Sequence, residues 1–249
     1  MLLTGKVVLI TGASRGIGAA CAESFGRRGA QLSLAARSPI SQPGALSTQA
    51  DLTLPEAREA LVRRTLDHYG RVDILINNAG DGLYSPTELT GLDQARRMFE
   101  LNLFAAVGMV QLVCPGMRAQ RSGTIVNVTS IAAAIPLPWM TLYSASKAAL
   151  SSVTRGLRRE LRGSRIKIME VQPGYVLTEF QDHAAGQPPP GVLKHRHRAI
   201  TAARCGEAIA RGVERGARTV VTPPSGWFAI ALERVLPSVI DSALGRINE

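Results

Sequence analysis

Short runs of apolar residues alternate with longer amphipathic stretches along most of the chain. Val7–Thr11, Gln31–Ala35, Ala45–Ala50, Val72–Asn77, Thr124–Thr129, Ile166–Val171 and Arg218–Val221 read as strands. Gly16–Arg28, Pro55–Tyr69, Asp93–Gln120, Leu142–Leu161 and Arg204–Arg215 carry helical spacing. Val7-Val8-Leu9-Ile10 shows no polar alternation, so both of its faces must be buried. That is the condition of a parallel strand covered by helices on each side. The pattern predicts an α/β fold: a single doubly wound domain over residues 1–249, with a mostly parallel seven-stranded sheet and helices on both faces.

Two stretches stand outside the alternation. Residues 180–203 form a polar excursion containing Gln187-Pro188-Pro189-Pro190-Gly191 and Lys194-His195-Arg196-His197-Arg198, suited to a lid over a substrate site. His195 and His197 lie two apart and do not share a helix face, so no metal site is predicted. Residues 223–249 form an apolar carboxyl-terminal extension. Its run Trp227–Leu244 is broken by Glu233, Arg234, Pro237 and Asp241, whereas a membrane span needs about 20 mainly apolar residues. It reads as a core or oligomer-interface helix, with contact at a membrane surface as the weaker alternative.

Composition narrows the function classes only a little. A 45% hydrophobic and 19% charged chain of 249 residues suits a sizeable globular core. Cys21, Cys114 and Cys205 are too few and too scattered for a disulfide framework or metal cluster. With no secretion signal read at Met1–Lys6, a reducing, cytoplasmic setting is expected. The net charge is +10, and only four of the 29 basic residues are lysines. Arginine pairs such as Arg27-Arg28, Arg63-Arg64, Arg96-Arg97 and Arg158-Arg159 suit either a solvated face or an anionic partner: a phosphorylated cofactor, an acidic carrier protein or a membrane surface. Aromatics at 4% and the lack of a nucleic-acid motif point away from nucleic acid.

The chemistry concentrates in three places. Tyr143 and Lys147 are four apart, which on a helix puts a phenol and an ammonium on one face. A cation beside the phenol favours the phenolate, so the Tyr143 pKa is expected to fall towards the working range. Gly12-x-x-x-Gly16-x-Gly18 follows a buried strand and opens a helix, the setting in which backbone approaches a diphosphate and the helix N-terminus attracts it. At the end of the second strand, Leu34-Ala35-Ala36-Arg37 lacks the acidic residue that would bond an adenosine 2′-hydroxyl, and Arg37 with Arg15 suits a 2′-phosphate. NADP(H) is therefore the preferred cofactor, with NAD(H) as the alternative.

Further motifs extend the set: Asn77-Asn78-Ala79-Gly80, Asn102 within Glu100–Leu103, Ser130 after an apolar run, and Pro173-Gly174 followed by Thr178. In this order and spacing they resemble the short-chain dehydrogenase/reductase family, with its Rossmann-type fold, over about residues 5–222. The resemblance implies a carbonyl–alcohol oxidoreductase. Tyr143 would be its general acid/base, and Ser130 would bond the reacting oxygen. Lys147 would bind the nicotinamide ribose, and Asn102 would hold a water linking Lys147 to solvent. It also implies that Gly12, Ser14, Arg15, Gly16, Ile17 and Gly18 bind the cofactor, with Arg37, Asp51 and Leu52 at its adenosine end. Asn78, Ala79 and Gly80 would line the middle of the cleft, and Pro173, Gly174, Val176 and Thr178 would sit near the nicotinamide.

Two features depart from the family pattern. Thirteen residues between Arg37 and Asp51 are too few for the usual helix there, so Ser38–Gly44 is expected to be a loop and the adenosine pocket more open. The segment Pro223–Glu249 is longer and more apolar than the family requires. An apolar lip of Ile135, Leu137, Trp139 and Met140 suggests a hydrophobic small-molecule carbonyl or alcohol. A homo-oligomer, dimer or tetramer, is what the family resemblance implies. The competing functions are a cofactor-binding sensor or scaffold with little turnover, and a reductase of carrier-bound acyl groups.

Overall fold

A computed structural model describes residues 1–188 and 199–245. Its sheet is built from β1 (Val7–Thr11), β2 (Gln31–Ala36), β3 (Leu46–Gln49), β4 (Ile74–Asn77), β5 (Gly123–Val128), β6 (Ile166–Pro173) and β7 (Thr219–Thr222). The spatial order is β7-β6-β5-β4-β1-β2-β3, and every neighbouring pair is parallel. Strand order reverses between β1 and β4, the crevice at which open α/β sheets bind ligands. The fold class is the expected one.

The uniformly apolar strands divide between two layers. Val8, Ile10, Leu34, Ile76, Val126 and Val171 pack against α1 (Gly16–Gly26) and α6 (Ala202–Arg215) through Cys21, Phe25, Cys205 and Ile209. Leu9, Leu75, Ile125 and Ile168 face the other way, onto α2 (Pro55–Tyr69) and α4 (Ala105–Ala119) through Leu61, Met109, Val113 and Met117. Period-two geometry thus operates in β1 although its sequence shows no polar alternation. Gly206 lets α6 approach α1 closely, since a Cβ there would stand 2.6 Å from the Ala20 backbone. Arg27 and Arg28, read as a candidate anionic-partner patch, are engaged by Glu207 and Glu214 of α6, and Arg27 by Glu23 as well.

The stretch expected as one helix over 93–120 is a continuous helical run, Leu92–Ala119, in which a π-helical turn (Glu100–Phe104) separates α3 (Leu92–Phe99) from α4. The run Leu92–Ala119 has the length and apolarity of a membrane span, and its buried residues Met109, Val113 and Met117 pack on the sheet. Asn77, Asn127 and Thr154 form a buried chain across β4, β5 and α5 (Thr141–Glu160). Asn77 Nδ2 donates to Asn127 Oδ1 at 2.9 Å, and Asn127 Nδ2 donates to Thr154 Oγ1 at 2.9 Å. Buried amides must find partners or cost stability, so this chain fixes the lateral position of α5 on the sheet.

Residues 37–45 hold no helix, and β2 connects to the parallel β3 by a loop alone. After β6 the chain makes a short helix, Phe180–His183, and pairs Ala185–Gly186 with Leu83–Tyr84. Ile200–Thr201 pairs with Val176–Leu177. The candidate lid is thus stitched to the body at both ends, while His195 and His197 lie outside the described residues. The carboxyl-terminal segment forms α7 (Gly226–Val235) and α8 (Pro237–Gly245). Ile230, Ile240 and Leu244 pack with Ile135 and Val221, leaving Trp227, Phe228, Val235 and Val239 exposed.

Candidate active site

A cavity of about 400 Å³ runs along the carboxyl ends of the strands, from Arg37 to Tyr143. Its floor begins where β1 turns into α1. Gly12 and Gly16 hold φ of +66° and +56°, which only glycine adopts without strain. A Cβ on Gly12 would stand 2.8 Å from Ala79 Cα, and one on Gly18 would overlap the Gly12 carbonyl. The loop is clasped from β4. Asn78 Nδ2 donates to the Thr11 and Gly12 carbonyls at 3.0 and 3.1 Å, while Thr11 Oγ1 accepts from the Asn78 and Ala79 amides at 3.0 and 3.1 Å. Asn78 therefore braces the glycine loop as well as shaping its own turn.

The far end is built by α5. Tyr143 and Lys147 both lie on its buried face. Lys147 Nζ sits 5.9 Å from the Tyr143 ring centre and donates to the Val128 carbonyl at 3.1 Å. Ser130, just past β5, accepts from the Ala132 amide at 3.1 Å and so caps the short turn Ile131–Ala133. Its hydroxyl also faces the Tyr143 phenol and favours the phenolate against burial. One serine thus both caps this turn and lines the cleft beside Tyr143.

The Tyr143 phenol departs from expectation. Burial pushes its pKa up to about 12; the Ser130 hydrogen bond opposes this, and Tyr84 reinforces it. Burial also brings Lys147 down to about 8, with Asp81 pulling it back upwards. The expected lowering of the phenol by the ammonium is overturned because the same dry environment penalises both charged forms. Tyr143 is a protonated donor at neutral pH.

Asn102 lies in the π-helical turn and is 1% exposed. Its Oδ1 accepts from the Asp81 amide at 2.8 Å, and its Nδ2 donates to the Asp81 carbonyl at 3.0 Å and to Ser146 Oγ at 3.0 Å. The side chain is not among those that line the cleft. It ties the loop after β4 to α5 between Tyr143 and Lys147. π-turns often occur at functional sites, and this one aims Asn102 inward.

A family profile described as short chain dehydrogenase matches residues 6–188. The chain belongs to that family. As a short-chain dehydrogenase it is an oxidoreductase. An 11-beta-hydroxysteroid dehydrogenase 1A of Arabidopsis thaliana is 34% identical over an alignment covering 96% of this chain and 74% of that protein. A short chain dehydrogenase from Burkholderia cenocepacia, solved in complex with NADP, is 28% identical with a TM-score of 0.83, covering 98% of this chain and 99% of that one. A 3-ketoacyl-(acyl-carrier-protein) reductase from Brucella melitensis, complexed with NADH, is 26% identical with a TM-score of 0.80, over 88% and 97%.

Within this short-chain dehydrogenase, Gly12, Ser14, Arg15, Gly16, Ile17, Arg37, Leu52, Asn78, Ala79, Gly80, Ser130, Tyr143, Lys147, Pro173, Gly174, Val176 and Thr178 line one cleft. Gly18 lies beneath it. Asp51 does not join them: its carboxylate is turned onto the Thr53 amide and hydroxyl at 3.0 and 2.8 Å, and its neighbours Ala50 and Leu52 line the cleft. Of the apolar lip, Leu137 and Met140 reach the cleft, whereas Ile135 packs under α7. Trp139 adopts φ +63° just before α5, and its carbonyl accepts from the Ser85 amide at 2.7 Å. A dinucleotide fits these residues. The glycine turn leaves backbone bare where any side chain would collide, and Arg15 and Arg37 supply cations along the same cleft.

Sequence reasoning missed Asp81, Tyr84, Tyr175, Phe180 and Leu244, all lining the cleft. Asp81 was findable as the first carboxylate after the Asn78-Ala79-Gly80 turn. The others come from loops or distant segments; Phe180 packs its ring 5.6 Å from that of Tyr143.

Proposed function

We propose that the protein is an NADP(H)-dependent oxidoreductase that interconverts a carbonyl and a secondary alcohol of a hydrophobic small molecule. The observation that carries this reading is a buried phenol, faced by Ser130 and backed by Lys147, at one end of a glycine-floored cleft whose other end holds Arg37. The dinucleotide supplies or accepts the hydride. Tyr143 gives its proton to the carbonyl oxygen, and Ser130 hydrogen-bonds that same oxygen as negative charge develops on it. Lys147 holds the ribose and, through its position beside Tyr143, the proton path to the cleft. Asn102 positions the loop carrying Gly80 and Asp81 rather than touching the reacting atoms.

With the phenol raised, its acid form is the one populated near neutrality, and this is the form that carbonyl reduction uses. Tyr84, Leu137, Met140, Phe180 and Leu244 give the substrate end an apolar, partly aromatic wall, which suits a hydrophobic ketone. The steroid-linked name of the Arabidopsis relative points the same way. Residues 180–188 and 199–203 form the two stems of a lid, and the chain is read as a homo-oligomer.

The test is cofactor consumption with a panel of apolar ketones and aldehydes, run with NADPH and with NADH. Turnover of several apolar ketones with NADPH favoured supports the reading. Turnover restricted to NADH, or absent across the panel while NADPH binds, rejects it.

A further inference from the structure

Arg37 and Asp81 come from opposite sides of the glycine loop. Arg37 follows β2 directly, Asp81 follows β4, and β1 lies between those strands. Arg37 Nη2 donates to both Asp81 carboxylate oxygens, at 2.9 and 3.2 Å. Both side chains line the cleft and are partly exposed. The Asp81 backbone is held at its amide and its carbonyl by Asn102, so the carboxylate projects from a fixed point. On the other side Arg37 is steadied through its own carbonyl, which accepts from Gln49 Nε2 at 2.8 Å. Ser38 and Ser14 complete this corner with a hydroxyl pair at 3.0 Å.

We propose that Asp81 is a specificity-determining residue for the cofactor: its carboxylate competes with an adenosine 2′-phosphate for the guanidinium of Arg37. The inference rests on the reading of Arg37 as the 2′-phosphate ligand. Carboxylate and phosphate both seek the donor fork of an arginine, and two anions held at one guanidinium repel each other. A ligand without the 2′-phosphate leaves the ion pair intact; one with it must draw Arg37 away or accept the Asp81 charge beside it. Discrimination between the two cofactors is therefore smaller than Arg37 alone would give. Replacing the carboxylate by its neutral isostere releases the guanidinium and leaves the Asn102 bonds in place, since those are made to main chain.

The experiment is calorimetric titration of the full-length protein with adenosine 2′,5′-bisphosphate and with 5′-AMP, which differ only in the 2′-phosphate. Wild type, Asp81→Asn, Arg37→Ala and the double variant are compared, with thermal melts as a check on folding. Asp81→Asn is expected to raise the affinity ratio of bisphosphate to AMP by about fivefold, the upper end for an exposed ion pair, with AMP binding changed less than twofold. In the Arg37→Ala background the same substitution is expected to leave the ratio unchanged. A ratio unchanged or lowered by Asp81→Asn, while Arg37→Ala lowers it, overturns the inference and spares the Arg37 reading. A ratio that Arg37→Ala does not lower overturns both. Asp81→Ala serves as the second variant and is expected to move the ratio in the same direction as Asp81→Asn.

Discussion

Lys147 Nζ lies 5.9 Å from the centre of the Tyr143 ring and spends a hydrogen bond on the Val128 carbonyl at 3.1 Å. The two groups share one buried helix face, yet the ammonium does not dominate the phenol. Burial moves Tyr143 up to about 12 and Lys147 down to about 8. The phenol therefore holds its proton more firmly, and the ammonium less firmly, than the free groups do.

A pH dependence follows from Tyr143. With the phenol protonated up to alkaline pH, carbonyl reduction is expected to be nearly flat between pH 6 and 8. Alcohol oxidation needs the phenolate and is expected to rise about tenfold per pH unit over the same range. Initial rates in both directions, at saturating cofactor, check this. An oxidation rate that levels off near pH 7 would show a lowered phenol and contradict the burial argument.

Lys147 carries a stability signature of its own. Its folded pKa is depressed from the ordinary 10.5 to about 8, so between those values the unfolded chain binds more protons than the folded one. Stability then rises with pH across that window, and the burial penalty is fully present below pH 8. Lys147→Met is expected to abolish turnover and yet to stabilise the fold at pH 7 by on the order of 2 kcal/mol. The gain should shrink as pH approaches 10.5. Urea midpoints at pH 7 and pH 10 decide it; a variant less stable than wild type at pH 7 refutes the expectation. Tyr143 acts in the opposite sense: its raised pKa makes the fold lose stability as pH climbs from 10 to about 12.

Asn102 separates a positioning role from a purely chemical one. Its amide makes three hydrogen bonds, two to the Asp81 backbone and one to Ser146. Asn102→Ala leaves a buried amide and carbonyl unpaired and is expected to cost about 2 kcal/mol. Denaturant unfolding and adenine-nucleotide titration together check this: both stability and nucleotide affinity should fall. Lost turnover with unchanged stability and affinity would return Asn102 to a role in proton supply alone.

Much of this was legible in the chain, for a physical reason. A strand buried on both faces must be apolar throughout, so Val7–Ile10 announces a parallel sheet by itself. Glycines that face backbone at under 3 Å cannot be other residues, so Gly12 and Gly18 mark the loop. Tyr143 and Lys147 are four apart on one helix, and that contact is local. The pairing of Arg37 with Asp81 joins residues 44 apart through the order of β2, β1 and β4, and no local pattern encodes it. The direction of the Tyr143 shift depends on how much of the helix face is dry, which spacing does not report. Asp51 is expected at the cofactor by its position; its Oδ1 accepts from the Thr53 amide and hydroxyl, a local turn that position alone does not report.

Gly18 offers a test of the cradle. A Cβ there would overlap the Gly12 carbonyl and approach Asn78 Nδ2 to 2.6 Å. Gly18→Ala is expected to cost about 1–3 kcal/mol of stability through forced displacement of the loop. Adenine-nucleotide affinity should drop at the same time, measured by fluorescence titration on the folded fraction. Unaltered affinity would separate the loop from the binding site.

The most direct measurement is single-turnover hydride transfer from saturating NADPH to an accepted ketone in Tyr143→Phe, with NADPH affinity measured alongside. Phenylalanine keeps the ring contacts with Phe180 and removes only the hydroxyl. The rate is expected to fall by about 10²–10⁴-fold, with NADPH affinity changed by less than threefold. Hydride transfer at the wild-type rate in this variant would contradict the assignment of Tyr143 as the proton donor.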